Sequence, residues 1–286
     1  MHRHDPQTLI AVLDEHHIAS LLMQAGKQVL LPLFAQQDFD RHHKADASLV
    51  TEADTRCQQW LQQQLQMHSS SVLAHHTIAF MGEEMSQREQ QACLQQDSYW
   101  CLDPLDGTGN FAGNIPLFSI SLALIHHGTP IMAWVYDPSR DELFSACQGG
   151  GLKINGCRIQ PTPAATALTE AIGFIDFKRL PKDMAGRWVT SGLYRSQRNL
   201  GSCALEWAWL AAGRGDFIIH GGQKLWDYAA GLLLCEEAAC VVSNLQGEHP
   251  FATPTLSSSI AAASSKVLHQ AITCTLNEFR THQSLI

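Results

Sequence analysis

Between Phe118 and Cys147 the chain reads FSISLALI, PIMAWVYD and LFSAC, with a turn at DPSRDE before the last run. Apolar runs this short, parted by tight turns, predict an antiparallel meander, and Asn155-Gly156 adds a hairpin turn soon after it. Beyond the loop-like stretch at 162–168 the pattern changes. AIGFIDF reads as a strand, CALEWAWLAAG as a helix closed by Gly213, DFIIHGG as a strand, and WDYAAGLLLCEEAAC as a helix that begins close to Asp227. A meander-bearing half, 1–160, is thus followed by a half of alternating helix and strand, 161–286.

The segment ahead of the meander brings in carboxylates. Residues 6 to about 35 carry apolar positions at helical spacing, with Asp5-Pro6 as the entry. HHKADASLVTEADTRCQQWLQQQLQ passes from a polar loop into a second helix starting near Thr51, which puts Asp54 in its first turn. Its Gln-rich stretch, 58–64, reads as solvated surface. A short strand, Thr77 to Met81, delivers Glu83 and Glu84, and YWCLD is a strand that ends at Asp103.

Composition limits the partners. With 286 residues, 45% of them hydrophobic, the chain can build one large core or two fused ones. Nineteen Lys and Arg against 27 Asp and Glu leave a net charge of −8, the wrong sign for wrapping nucleic acid. The nine cysteines are odd in number and lack a CxxC pair, which indicates neither a disulfide framework nor a zinc ribbon but a reducing cytoplasm. MHRHDPQTLI has no signal-peptide pattern, and apolar runs such as AAGLLLC fall well short of a span of ~18 residues, so no membrane partner is expected.

WCLDPLDGTGNF, Trp100 to Phe111, carries the chemistry. Carboxylates crowd together when a cation offsets their repulsion, and hard divalent cations take oxygen ligands. Pro104 fixes one backbone angle between Asp103 and Asp106, which lets the turn hold both carboxylates and the Leu105 carbonyl on one side. Gly107 permits close backbone approach, and the amides of Gly107 and Thr108 can open a helix whose N-terminus accepts an anion. A metal beside an anion site means phosphate chemistry.

GEE (82–84), DPLDGTGNF (103–111), VTEAD (50–54) and LWDYAAG (225–231), with GSCALEWAWLAAGRGD (201–216) between, together resemble the inositol monophosphatase family of metal-dependent, lithium-sensitive phosphatases. The resemblance covers roughly residues 40–245. It implies a layered αβαβα sandwich, an α+β/α/β sugar-phosphatase fold that is usually dimeric, with two or three Mg2+ ions between its halves. Carried over by motif, Glu83, Asp103 and the Leu105 carbonyl hold one ion, and Asp103, Asp106 and Asp227 hold the second. Lys44, Asp54 and Glu84 fall close to the site, with Glu84 a further metal or positioning group. Asp54 pairs with Thr108 to orient the attacking water. Asp106, Gly107, Thr108, Gly201, Ser202, Cys203, His220 and Asp227 face the substrate, a small phosphorylated polyol or metabolite.

Two positions depart from the pattern. His220 stands where the family commonly has a glutamate that contacts the sugar-like ring, and Cys203 stands where a small residue is usual. Both touch the substrate wall and neither touches the metals. Inositol 1-phosphate is the leading substrate, with fructose 1,6-bisphosphatase, histidinol phosphatase and 3′(2′),5′-bisphosphate nucleotidase activities as alternatives. A non-catalytic binding protein on the same fold is the reading of another class. Four His-His pairs (16–17, 42–43, 75–76, 126–127) read as surface or turn histidines, because sequence neighbours point to different faces. GRGD (213–216) reads as a helix-to-strand turn, and of Trp207 and Trp209 one belongs to the core and the other to a surface or interface.

Overall fold

In the computed structural model, residues 5–36, 41–43, 49–73, 77–162, 165–253 and 255–281 are described. The N-terminal apolar periodicity folds into α1 (Pro6–Leu13), α2 (Glu15–Ala25) and α3 (Leu31–Gln36), with a π-helical turn at Gly26–Leu30 joining the last two. The path breaks at Asp14, which has left-handed backbone (φ 52°) and caps the N–H of His16 with its carboxylate. By length and composition Glu15–Gln36, with a mean hydropathy of 1.3, is able to cross a bilayer. Its Ile18, Leu22, Ala25 and Leu30 instead share a core with Leu61 and Leu65 of α4 (Glu52–Val72), which follows the small hairpin β1 (Arg41–His43) and β2 (Leu49–Thr51).

The meander forms the centre of a seven-stranded sheet. In spatial order its strands are β3 (Ala79–Gly82), β4 (Ser98–Asp106), β5 (Ser119–His126), β6 (Thr129–Asp137), β7 (Glu142–Cys147), β8 (Lys153–Ile154) and β9 (Cys157–Arg158). β3 and β4 are parallel, linked through α5 (Gln87–Cys93), and every later pairing is antiparallel. Asn155 and Gly156, both at positive φ, close the last hairpin. The single-turn helix α6 (Thr108–Ala112) connects β4 to β5.

Strand and helix alternate in the second half through β10 (Ile172–Asp176), α7 (Lys182–Thr190), β11 (Ser196–Arg198), α8 (Cys203–Ala211), β12 (Phe217–Lys224) and α9 (Leu225–Glu237). Two further strands, β13 (Val241–Ser243) and β14 (Ser257–Ala263), precede α10 (Lys266–Thr281). The sheet order is β11-β10-β12-β14-β13, parallel across the first three strands and antiparallel across the rest.

Period-two side-chain alternation sorts these elements into layers. Trp100, Leu102, Leu122 and Trp134 of the first sheet face the N-terminal helices. Tyr99, Cys101, Ala123 and Val135 face the other way, onto α8 and α9, which are covered in turn by Ile218, Ile260 and Ala262 of the second sheet. Phe217, Ile219 and Ala261 look outward to Trp188 of α7 and to Leu268 and Ile272 of α10. The result is the expected αβαβα sandwich. Both faces of each sheet are covered, so β4 and β5 are buried along their whole length, polar residues such as Ser98, Ser119 and Ser121 included.

Candidate metal and phosphate site

β4 delivers the acids through a defect in its pairing. Its register against β5 shifts between Asp103 and Asp106, where Pro104 has no N–H to give to the ladder. The Leu105 N–H turns back onto Asp103 Oδ1 at 3.0 Å. On one side β3 ends in register with β4, and the Glu83 N–H donates to the Leu102 carbonyl at 3.1 Å. From the middle layer comes Asp227 in the first turn of α9, its carboxylate accepting the Lys224 N–H at 2.9 Å. Asp103, Asp106 and Asp227 each place a carboxylate oxygen within 4.8 Å of the other two.

Such crowding is unfavourable without a cation. Burial, then the charges of Glu83, Asp106 and Asp227, drive the Asp103 carboxyl well above the ordinary carboxylate range. Asp227 moves the same way, through burial and then Asp106 and Glu83. Asp106 rises only to about 6, because hydrogen bonds from the α8 end offset part of its burial. Three aspartates, all of them oxygen donors, whose crowding raises their proton affinities, fit a hard divalent cation. Among the described residues, Asp103, Asp106 and Asp227 are the acids close enough together to hold it, and the charge of Glu83 acts on all three.

Next to the acids lies a hydrogen-bonded pair, Asp54 and Thr108. Thr51 caps α4 and donates to Asp54 Oδ2 through both its N–H (2.7 Å) and its hydroxyl (2.6 Å). The other oxygen, Oδ1, takes the Thr108 hydroxyl at 2.9 Å. Thr108 Oγ1 also stands 3.1 Å from the Leu105 carbonyl. Burial lifts Asp54 to about 6 against the pull of these hydrogen bonds, with Glu83 adding to the rise. Gly107 makes the turn possible at φ 95°, where a Cβ would come within 2.9 Å of the Leu117 carbonyl. α6 is a single turn, too short to present much of a helix dipole at its N-terminus.

The opposite wall is the start of α8. Ser202, its N-cap, donates to Asp106 Oδ2 at 2.5 Å, and the Ala204 N–H donates to the same oxygen at 2.7 Å. Gly201 enters the cap at φ 72°. Cys203 Sγ is 4.0 Å from His220 Nε2, and the thiol is raised by burial and by the surrounding carboxylates. His220 is buried on β12. One group the sequence did not announce is Glu206 of α8, which is 3% exposed and accepts the Leu200 N–H at 2.7 Å. Burial raises it to about 8, helped by the charges of Asp106 and Asp176.

The Glu84 N–H donates to Gln58 Oε1 at 3.1 Å. Gln58 is therefore buried, against the solvated reading of 58–64, while Gln59 and Gln63 are exposed as expected. Gly82 makes room for it, since a Cβ there would lie 2.2 Å from Gln58 Oε1. His126 is also buried, with Nδ1 2.7 Å from Ser98 Oγ, whereas His16, His17 and His127 are exposed. Residues 75–76 and Lys44 lie outside the described residues. Asp216 of GRGD is a buried cap for the N–H groups of Ala165 and Ile172. Trp207 is core, and half-buried Trp209 lies beneath the guanidinium groups of Arg140 and Arg214.

Comparison with known proteins agrees with this arrangement. The model of the inositol monophosphatase family matches residues 14–281. An inositol-1-monophosphatase of Rhizobium meliloti is 32% identical over 231 residues, which cover 79% of this chain and 83% of that relative. A Nus factor SuhB of Pasteurella multocida is 35% identical over 195 residues, 64% of this chain and 71% of the relative. The solved structure of a Thermotoga maritima IMPase matches with a TM-score of 0.77 at 27% identity, covering 94% of this chain and 98% of that one. The chain belongs to the inositol monophosphatase family.

Proposed function

We propose that the protein is a Mg2+-dependent phosphatase of small phosphate monoesters, with inositol 1-phosphate as the leading substrate. The observation that carries this reading is the Thr108–Asp54 hydrogen bond standing beside the carboxylates of Asp103, Asp106 and Asp227. Glu83, Asp103 and the Leu105 carbonyl are assigned to one ion, and Asp103, Asp106 and Asp227 to a second. Glu84 is assigned to a supporting position or a third ion. Bound Mg2+ supplies charge neutralisation for the phosphate and for the leaving oxygen, and lowers the pKa of water.

The protein's own part is orientation and proton handling. The Thr108 hydroxyl has one hydrogen, directed to Asp54, so its lone pairs are left to accept from a water placed for in-line attack. Asp54, at about 6, is largely ionised at neutral pH yet basic enough to share a proton drawn through Thr108. Gly107 and Thr108 are assigned to the phosphate oxygens, and Gly201, Ser202, Cys203 and His220 to the rest of the substrate. No protein nucleophile is needed. The free state of all nine cysteines supports a reducing, cytoplasmic setting, and a homodimer is part of the reading.

The test is phosphate release from inositol 1-phosphate, fructose 1,6-bisphosphate, histidinol phosphate and adenosine 3′,5′-bisphosphate, each with Mg2+ and with EDTA. The reading expects inositol 1-phosphate to lead and EDTA to abolish release. A lead by another substrate overturns the substrate assignment, and silence on all four overturns the enzymatic one in favour of a binding role.

A further inference from the structure

Where the family resemblance puts a glutamate against the substrate ring, this chain has His220, and its neighbour across the sheet is an acid. β10 and β12 are parallel, and Asp176 is the register partner of His220. Their side chains therefore stand side by side, Asp176 at the end of β10 and His220 midway along β12, just before its register shift. The His220 side chain is 4% exposed and that of Asp176 19%. The Gly222 N–H donates to His220 Nδ1 at 3.1 Å, which assigns the ring proton to Nε2. Nε2 in turn faces Asp176 Oδ2 at 3.5 Å and Cys203 Sγ at 4.0 Å. Both ring nitrogens are thus engaged within the protein.

Asp176 has capacity left over. Oδ1 takes the Lys178 N–H at 2.9 Å and Oδ2 faces the imidazole, whereas two carboxylate oxygens offer about four acceptor sites. The charges of Asp176 and Asp106 both act on Cys203 and on Glu206, so the two acids belong to one wall. Arg179 also acts on Asp176 from the loop that follows β10.

We propose that Asp176 is the hydroxyl-reading group of the substrate wall and that His220 is its positioning residue. The assignment rests on the phosphatase reading above and deepens it. An acceptor-only anion at this place binds neutral, hydroxyl-bearing leaving groups and repels a second phosphate. The glutamate of the family pattern has in effect moved one strand over. The substrate class is a polyol monophosphate, and a bisphosphate is disfavoured.

The experiment compares inositol 1-phosphate with para-nitrophenyl phosphate, which has no hydroxyls, in the Mg2+-loaded wild type and in Asp176→Asn, His220→Gln and His220→Ala. Asp176→Asn is expected to raise KM for inositol 1-phosphate by about 10-fold or more, a loss at least about five times larger than any it causes on para-nitrophenyl phosphate. His220→Ala follows it, and His220→Gln, whose amide still donates to Asp176, recovers most of the affinity. Equal losses on both substrates, or an unchanged KM in a protein that hydrolyses inositol 1-phosphate, overturn the assignment while leaving the phosphatase reading intact. A wild type active on para-nitrophenyl phosphate but silent on inositol 1-phosphate overturns the assignment together with the substrate reading.

Discussion

Thr108 Oγ1 donates to Asp54 Oδ1 at 2.9 Å, joining the turn after β4 to the first turn of α4 across 54 positions of chain. The contact holds a hydroxyl, and not a carboxylate, at the edge of the acid cluster. Thr108→Ala should lower kcat by about 100-fold while leaving Mg2+ affinity within a few-fold, and Thr108→Ser should keep most of the rate. Steady-state kinetics beside Mg2+ calorimetry separate the two effects. A parallel loss of rate and metal affinity would make Thr108 part of the metal scaffold instead.

Ser202 tests the opposite wall. Its hydroxyl and the Ala204 N–H converge on Asp106 Oδ2 and hold that carboxyl nearer its ordinary range than Asp103. Ser202→Ala should weaken Mg2+ binding by about 10-fold, as the loss of a partner behind a metal ligand typically does. Calorimetric titration of the purified variant measures it, and unchanged affinity would show that the Ala204 N–H alone suffices.

The raised carboxyls of Asp103 and Asp227 make stability depend on pH and metal together. A folded-state pKa above the unfolded value contributes stability at low pH, which is lost as pH rises through the folded pKa. The EDTA-treated protein should therefore lose stability from acid toward alkaline pH. Mg2+ at ~100 times its pH 8 Kd should restore about 2.7 kcal/mol at pH 8, and the same concentration should restore less at pH 5.5, where protons compete and Kd is higher. Thermal unfolding at the two pH values with and without Mg2+ gives the comparison. A shift of equal size at both would argue against binding at these acids.

Glu206 behaves in the same sense without being a proposed ligand. Burial raises it from an ordinary 4.5 to about 8, so its protonated form is favoured in the folded protein. Its contribution is complete below about 4.5 and gone above about 8, a loss of up to roughly 5 kcal/mol across that window. Glu206→Gln keeps an acceptor for the Leu200 N–H and should flatten this part of the profile, becoming the more stable protein at pH 8.5 in EDTA. Urea unfolding across pH reads the difference directly.

The parts legible in the sequence are those whose signal is local. The 118–147 meander shows because its short, largely apolar runs are parted by tight turns. Thr51 and Asp54 show because a cap and its third residue are fixed by chain spacing. The parts that escaped depend on what packs across a layer. Gln58 looks like its exposed neighbours until Gly82 and the Glu84 N–H come to lie over it. Glu206 is one acid in an apolar helix, and its burial follows from α8 lying between two sheets. Asp176 gains its meaning from the β10–β12 register, which pairs it with His220 over 44 positions of chain. β14 escaped because Ser257–Ala263 is built of small residues with little strand signal of their own.

The central claim is that hydrolysis runs on a divalent cation held by the acids of β4 and α9 and by Glu83, which follows β3. The measurement that tests it most directly is Mg2+-dependent release of phosphate from inositol 1-phosphate by the wild type and by Asp103→Asn, with folding checked by circular dichroism. Release that saturates with Mg2+ in the wild type and vanishes in the folded variant is the predicted result. Undiminished release by Asp103→Asn would contradict the account at its core.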